Sequence, residues 1–235
     1  EYRDWRDVGQ WADGLFLFKG QLAPDLLRQI EIWRTSKQPR EQLVAEVLRW
    51  VQREIRYFGI ELGVNSHLPH HPNVTYERRF GDCKDKSLLL AAILRELGVD
   101  ARPALVSMAR QRTAARLLPS PLAFDHAIVR VDIDGSVYWL DPALPVQYGS
   151  LNRKAAYDYG KALVTGAASE ELVTVNLPTG YANTYELLER YEISDFKQPS
   201  ELVSELVVGQ SAADYFRSLR AKLPKDEFDR ILHSV

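Results

Sequence analysis

The single cysteine of the chain stands where cysteine acyl-transfer chemistry would place a nucleophile. Cys83 follows the turn Gly81-Asp82, and a helical pattern begins at or next to it. A thiol at a helix N-terminus lies near unpaired N–H groups and the positive end of the helix dipole, which favour the thiolate. The same N–H groups suit an oxyanion on an attacked carbonyl. We therefore interpret Cys83 as a nucleophile rather than a buried structural thiol, and its polar neighbours predict that it is not fully buried.

A cysteine nucleophile needs a base, and the base needs a group that orients it. The histidines of the chain are His67, His70, His71, His126 and His233. Among them, His126 lies inside a strand pattern, over 124–132, with a carboxylate close by in the return strand. The hairpin signal Asp134-Gly135 separates these two strands. His126 is therefore the histidine that we expect to act as the general base.

The hairpin register predicts which carboxylate lies beside His126. A two-residue loop pairs Ile133 with Ser136, and hence Ile128 with Asp141. His126 and Ile128 share a face because side chains alternate along a strand. His126 and Asp141 are then diagonal neighbours on that face, within reach of each other. The sequence thus predicts that Asp141 orients His126.

Each of these residues also has a plain structural interpretation. Cys83 could be a buried thiol, His126 a hydrogen-bonded core histidine, and Asp141 a turn-starting aspartate before Pro142. Their order along the chain and their expected proximity favour a Cys-His-Asp set over three unrelated residues.

The surrounding pattern predicts the elements that position these side chains. Apolar residues at helical spacing predict a nucleophile helix that starts at Asp82, the expected N-cap, and stops at Gly98. A strand over 104–108 follows. An amphipathic helix from Arg40 to about Tyr57 is expected to be half buried, and Pro24 opens another helix, over 24–35.

The segment 58–76, which precedes the nucleophile, is rich in Gly, Pro, Asn and His and predicts a loop. Its three histidines invite a metal site, but no cysteine or acidic ligand stands at a typical spacing, so we expect none. The loop is better placed to line a substrate cleft. A side-chain oxyanion donor could come from Tyr57, Asn65, His67 or Tyr76, and the sequence does not choose among them.

A second connecting segment, 109–123, carries Arg110, Arg112 and Arg116 followed by Pro-Ser-Pro. We interpret it as a solvated loop. The alternative is a movable lid whose arginines attract an acidic substrate.

The remaining sequence predicts a division into three parts. Residues 1–38 are predicted to form a lead-in that packs on the core. Residues 39–177 are predicted to form the core, and residues 178–235 the start of a β-rich domain. Strands are expected at 161–164, 172–176, 185–194 and 201–208, and helices at 211–222 and from Pro224 onward. A linker is expected at Pro178-Thr179-Gly180.

Composition excludes several classes of function. The chain has 30 basic and 32 acidic residues and a net charge of −2, so it lacks the excess of positive charge typical of nucleic-acid-binding proteins. No apolar run approaches the roughly 20 residues that a membrane span requires. The single cysteine excludes an internal disulfide, so the redox compartment cannot be inferred from it.

The same motifs resemble the transglutaminase-like superfamily. They are Gly-Asp-Cys-x-Asp-x-x-Leu-Leu at 81–89, Leu-Gly-Val-x-Ala-Arg at 97–102, Phe-x-His-Ala at 124–127 and Tyr-Trp-Leu-Asp-Pro at 138–142. More narrowly, the chain is similar to bacterial proteins in which this core lies between two β-rich domains, the first of the DUF3857 type. The resemblance covers about residues 40–165, and one departure is Ile128, where many members carry an aromatic residue.

The resemblance implies an α+β, papain-like core, with a nucleophile helix packed on an antiparallel sheet and a β-rich extension. It implies Cys83 as nucleophile, His126 as general base and acid, and Asp141 as the orienting residue. It also implies a peptide or protein substrate, upstream and downstream β-rich domains, and an exported, periplasmic or envelope-associated bacterial protein. No cofactor or metal is expected, and no ligand cluster for calcium, which some relatives use, is defensible.

Two outcomes of the chemistry stay open at this point. Water as acceptor would give a peptidase or amidase, and an amine would give a transglutaminase-type transfer. The competing class is a binding or assembly module that retains the three residues without turnover. An arylamine acetyltransferase shares the residue order, but the surrounding motifs match it poorly.

Overall fold

The structure, a computed structural model, describes residues 2–59, 63–154, 157–166, 171–176, 184–193, 195, 197 and 199–232. The α-helices are α1 (Trp5–Phe16), α2 (Pro24–Thr35), α3 (Arg40–Glu54), α4 (Pro72–Arg78), α5 (Cys83–Glu96), α6 (Gln210–Lys222) and α7 (Lys225–Leu232). The strands are β1 (Arg56–Tyr57), β2 (Phe80–Gly81), β3 (Asp100–Val106), β4 (His126–Ile133), β5 (Ser136–Leu140), β6 (Lys161–Val164), β7 (Val173–Thr174), β8 (Tyr185–Glu192) and β9 (Glu201–Val208).

A five-stranded antiparallel sheet of order β5-β4-β3-β6-β7 forms the centre of the molecule. Asp134-Gly135 is the two-residue loop of its β4–β5 hairpin, and Ile133 pairs with Ser136 as the sequence predicted. Both loop residues have positive φ, 51° and 85°, which an Asp-Gly pair tolerates well. The fold is α+β, with a nucleophile helix on an antiparallel sheet, and the predicted fold class is confirmed.

Helix α5 is buried along nearly its whole length between α3 and the sheet. Its side chains join those of α2, α3 and the odd-numbered residues of β4 in one apolar core. Ile128, at an even-numbered position of β4, packs on the opposite face of the sheet. This alternation follows from the two-residue period of a strand, and it places Ile128 in the apolar cluster that also contains Tyr159.

Two helices occupy segments in which the sequence reasoning placed none. The lead-in forms α1, capped by Asp4, whose side chain accepts from the N–H of Asp7 at 2.9 Å. The segment expected to be a loop, 58–76, contains the start of α4. Pro72 begins that helix, and His71 caps it by accepting from Asn73 N–H at 3.2 Å. A proline at the first helical position was the available signal.

The expectation that Cys83 would not be fully buried is wrong. Cys83 is 6% exposed, and every residue from Gly81 to Leu94 is buried. The polar residues of this run are buried because they are paired with one another or with backbone groups, which removes most of the cost of desolvation. The polar character of this run therefore does not reveal that the start of α5 is buried.

The C-terminal region contains the predicted hairpin, β8–β9, followed by α6 and α7. Helix α6 meets the core through Asp214, whose carboxylate accepts from Tyr148 N–H at 3.2 Å. The expected linker, Pro178-Thr179-Gly180, lies outside the described residues, and the three-part division of the chain stays a prediction. In the part of the chain that the structure describes, no helix is long and apolar enough to cross a bilayer.

Candidate active site

Cys83 is the first residue of α5, and a capping box fixes the backbone around it. The Asp82 carboxylate accepts from the N–H groups of Lys84 and Asp85 at 3.1 and 3.2 Å, while Asp85 accepts from Asp82 N–H at 3.3 Å. The carbonyl of Asp82 takes the N–H of Lys86 at 3.0 Å. These bonds leave the N–H of Cys83 itself as the donor of the first turn for a developing oxyanion.

Gly81 is required where the chain enters this turn. A Cβ at this position would lie 2.7 Å from Asp85 Cβ and 3.1 Å from Thr75 Cγ2. Contacts as short as 2.7 Å force neighbouring atoms to move. Glycine here therefore lets Asp85 come close enough to complete the capping box.

Helix α5 is tied to the histidine strand next to the site. Ser87 Oγ donates to the carbonyl of Ala127 at 3.0 Å, one residue after His126. His126 lines one cleft with Cys83, whose proximity raises the pKa of His126, and His126 Nε2 lies 2.8 Å from Asp141 Oδ2. The structure thus brings together the three residues singled out in the sequence, and the diagonal placement of His126 and Asp141 is confirmed.

Asp141 is held from four directions. Its Oδ2 accepts from Tyr159 Oη at 2.5 Å as well as bonding to His126, and its Oδ1 accepts from Ala143 N–H at 2.8 Å. Its carbonyl accepts from Gln52 Nε2 of α3 at 3.0 Å. The carboxylate is therefore fixed in one orientation, and with it the ring of His126.

The surroundings of His126 favour the imidazolium. Burial lowers the pKa of His126, but the hydrogen bonds to Asp141 and Cys83, together with their negative charges, outweigh burial and raise the pKa to about 10. Tyr159 stacks on the His126 ring with centroids 5.8 Å apart. Burial and the charge of Asp141 raise the pKa of Tyr159, which keeps its hydroxyl a hydrogen-bond donor. The electrostatics thus favour a protonated His126 beside Cys83.

The two lysines after Cys83 both point inward. Lys84 forms a buried ion pair with Asp82, and burial raises the pKa of that carboxyl. Lys86 is 1% exposed and donates to the carbonyl of Ile55, at the end of α3. Burial lowers the pKa of Lys86 to about 8, although the charge of Asp141 acts in the opposite direction. Both cations are engaged by groups other than the thiol.

The histidines of segment 58–76 point to three different partners. His67 packs edge-on against Trp11 with centroids 5.4 Å apart, His71 against Phe18, and His70 Nδ1 lies 3.1 Å from Asp85 Oδ2. Within the described ranges, no group of three His, Cys, Asp or Glu side chains could hold a metal ion.

The structure separates the four residues considered as side-chain oxyanion donors. His67 lines the cleft that contains Cys83 and His126. Asn65 lies on a second cavity, beside His70 and Asp85, and Tyr76 stacks on Trp50. Tyr57 is exposed in β1. Only His67 of the four shares the cleft lining with the thiol.

Three further residues escaped the sequence reasoning. Tyr159 and Gln52 hold Asp141, and His70 supports the capping box through two bonds to Asp85, from its backbone N–H at 2.7 Å and from its ring. No local pattern marks any of them, because each acts through a partner at least 15 residues away in sequence.

Comparison with known proteins gives one family match and several similar folds. Residues 28–141 match the model of the transglutaminase-like superfamily. No curated protein sequence matches the chain. Among solved structures, a candidate protease from Parabacteroides distasonis is similar over 75% of this chain at 12% identity, with a TM-score of 0.55. This chain spans 32% of that protein.

Two other solved structures are similar over smaller parts of the chain. A candidate cysteine protease from Cytophaga hutchinsonii covers 56% of this chain and 42% of its own, at 19% identity and a TM-score of 0.41. The periplasmic domain of TgpA from Pseudomonas aeruginosa covers 57% of this chain and 48% of its own, at 19% identity and a TM-score of 0.40.

The antiparallel sheet, the buried helix that starts at a cysteine, and the histidine and aspartate beside it define a papain-like class of fold. Within that class, residues 28–141 are similar to the transglutaminase-like superfamily, whose model they match.

Proposed function

We propose that this protein is a cysteine-dependent acyl-transfer enzyme that acts on amide bonds. Cys83 is the nucleophile, His126 the general base and acid, and Asp141 the residue that orients His126. The observation that carries the proposal is the position of His126, which lines one cleft with Cys83 and whose Nε2 lies 2.8 Å from Asp141 Oδ2.

The reaction follows from these contacts. The Cys83 sulfur attacks the amide carbonyl, and its proton resides on His126. The carbonyl oxygen becomes an oxyanion that the Cys83 N–H can receive, and His67, in the same cleft, is the side-chain donor that we propose. His126 then gives its proton to the leaving amine as the C–N bond breaks, which leaves a thioester on Cys83. Water or a second amine resolves the thioester and returns the thiol.

The substrate, location and neighbouring domains belong to the same proposal. An amide-cleaving site in an open cleft suits a peptide or protein. The superfamily resemblance further favours a bacterial periplasmic or envelope setting and β-rich domains on either side of this core.

Alkylation of Cys83 tests the proposed function. Iodoacetamide forms an S–C bond with the thiolate and releases iodide, and mass spectrometry gives the rate at residue 83. We expect rapid labelling at pH 7 that is slowed at least about tenfold in His126→Ala, since the thiolate–imidazolium pair is lost. His71→Asn, which keeps a capping side chain at α4, is the matched control. Slow labelling that ignores His126 would instead support a binding module.

Turnover of a peptide amide is the second arm of that test. Loss of general acid–base assistance in His126→Ala is expected to lower kcat about 100-fold or more. Cys83→Ser is expected to abolish the thioester, which denaturing mass spectrometry detects as an adduct on the wild-type protein.

A further inference from the structure

The cleft beside Cys83 has one wall that lies outside the superfamily-matched region. That region begins at residue 28, whereas Trp11 and Phe16 of α1 both line the cleft. Phe16 packs with Cys83 and Ala127 in one apolar cluster. The first helix of this chain therefore contributes directly to the surface that a substrate side chain would meet.

The rest of the lining combines the apolar residues Leu105, Pro121, Phe124 and Ala127 with polar ones. Trp5 of α1 packs edge-on against Phe124 with centroids 5.7 Å apart. Trp11 in turn contacts His67, another lining residue. Helix α1 thus packs against two lining residues from other segments.

The charged groups of the lining are already engaged. Asp125 accepts from Ser107 Oγ at 3.0 Å and from the N–H groups of Met108 and Ala109 at 2.6 and 3.3 Å. Lys84 is paired with Asp82. Neither charge is left to select a substrate of opposite sign.

The arginines of segment 109–123 are directed elsewhere. Arg110 donates to the carbonyl of Leu122 at 3.1 Å, and Arg112 pairs with Asp158 at 2.9 Å. Among the described residues, no arginine lines the cleft. The geometry does not support the alternative of an acidic substrate drawn in by this segment.

The volume of the cleft restricts the size of the side chain. It measures about 100 Å³, which is smaller than an apolar cavity of about 150 Å³ that binds benzene. We therefore expect an aliphatic side chain of the size of valine to fit this space better than an aromatic ring.

We infer that the substrate side chain held beside Cys83 and His126 is a small, uncharged aliphatic one, and that Trp11 sets its size limit. This inference rests on the proposed function, because it assigns a substrate class to the same site. It makes Trp11 a specificity-determining residue supplied by α1, not by the superfamily core.

A panel of acetylated aminoacyl chloromethyl ketones tests the inference. In each reagent the Cys83 thiolate displaces chloride, so an S–C bond forms as the C–Cl bond breaks, and the rate is read by mass spectrometry at residue 83. The panel carries Val, Phe, Glu or Lys as the side chain. With the wild-type protein, we expect the Val reagent to react at least about 10-fold faster than the other three, because a misfitting side chain costs about 10- to 200-fold.

The Trp11→Ala variant enlarges the pocket and is expected to shift the Phe-to-Val rate ratio about 10-fold towards Phe. The matched control is Trp50→Ala, since Trp50 is similarly half-buried but packs against Trp33 and Tyr76, away from the cleft. This control is expected to keep the wild-type ratio. If Trp11→Ala does not fold, Trp11→Phe replaces it, with a smaller shift in the same direction.

A fastest reaction with the Glu or Phe reagent in the wild type, or an unchanged ratio in the folded Trp11 variant, would overturn the inference. The iodoacetamide experiment keeps the two proposals apart. Alkylation that depends on His126 but shows no side-chain preference rejects the inference alone. Alkylation that ignores His126 rejects the proposed function.

Discussion

Tyr159 and Asp141 form a buried hydrogen bond 2.5 Å long, and the acceptor oxygen is the one that also bonds to His126. The hydroxyl and the imidazole thus share one carboxylate oxygen. Because Tyr159 also stacks on the His126 ring, a single side chain fixes two members of the proposed catalytic set.

Removal of this hydroxyl is expected to slow catalysis without abolishing it. A hydrogen bond to a charged group contributes about 1.5–3 kcal/mol, so Tyr159→Phe should lower kcat for a peptide amide about 10-fold. Tyr157→Phe is the matched control. Tyr157 is exposed and packs on Tyr159, but the hydroxyl that donates to Asp141 is that of Tyr159. Equal rates for the wild type and Tyr159→Phe would show that His126 and the backbone hold Asp141 unaided.

The assignment of His67 as oxyanion donor predicts a split between two measurements. Loss of one oxyanion-hole donor costs about 10²–10³ in kcat, so His67→Ala should lower turnover of a peptide amide about 100-fold. Alkylation of Cys83 by iodoacetamide forms no oxyanion and should keep its rate. If alkylation slows as much as turnover, His67 acts on the thiol or on folding and not on the oxyanion.

The raised pKa of His126 predicts how stability depends on pH. Its pKa is about 10 in the folded protein against an ordinary value of 6.5. The protonated ring therefore contributes stability that is fully present below about pH 6.5 and is lost as the pH rises through about 10. Urea unfolding of the wild type and of His126→Gln measures this contribution. The wild type should have the larger free energy of unfolding at low pH, and the difference should shrink as the pH rises across this window. His71→Asn controls for the loss of an exposed histidine, and an excess that grows with pH would refute the raised pKa.

At low pH the buried charge of Lys86 destabilises the folded protein, whereas the protonated His126 stabilises it. Burial lowers its pKa to about 8 from 10.5, so the buried charge costs stability below about pH 8, and the cost fades as the pH rises to about 10.5. The free energy of unfolding of Lys86→Met minus that of the wild type should therefore be larger at pH 6 than at pH 10.5. The change should be on the order of 3 kcal/mol at most. Lys19→Met, at an exposed position, is the control. A pH-independent difference would mean that burial does not lower the pKa of Lys86.

Gly81 and Gly14 give a matched pair of Gly→Ala substitutions. At Gly81 the added methyl group would lie 2.7 Å from Asp85 Cβ, so Gly81→Ala should destabilise the fold by about 1–3 kcal/mol and slow Cys83 alkylation. At Gly14, inside α1, no atom lies within 4 Å of the added Cβ, and alanine should stabilise the helix by about 0.5–1 kcal/mol. Thermal unfolding of both variants checks this, and equal shifts would contradict the packing account.

Much of the fold follows from local patterns in the sequence. The cap at Asp82, the glycine after the last turn of α5 and the Asp134-Gly135 hairpin are signals within a few residues, and each formed as predicted. The hairpin register then determined that His126 and Asp141 would be neighbours, because pairing across a two-residue loop leaves no freedom. The catalytic roles of Cys83, His126 and Asp141 stay predictions that the experiments above test.

Tertiary structure decided what local patterns do not encode. Burial of the polar run from Gly81 to Lys86 depends on α3, whose Ile55 carbonyl receives Lys86, and on the segment that brings His70 to Asp85. Tyr159 reaches Asp141 because it lies just before β6, a strand of the central sheet, and Trp11 reaches the cleft because α1 packs against that sheet. The physical reason is that desolvation and hydrogen bonding act through space. A sequence pattern therefore fixes an element and its register, whereas the chemistry around the thiol depends on distant segments that meet only in the folded chain.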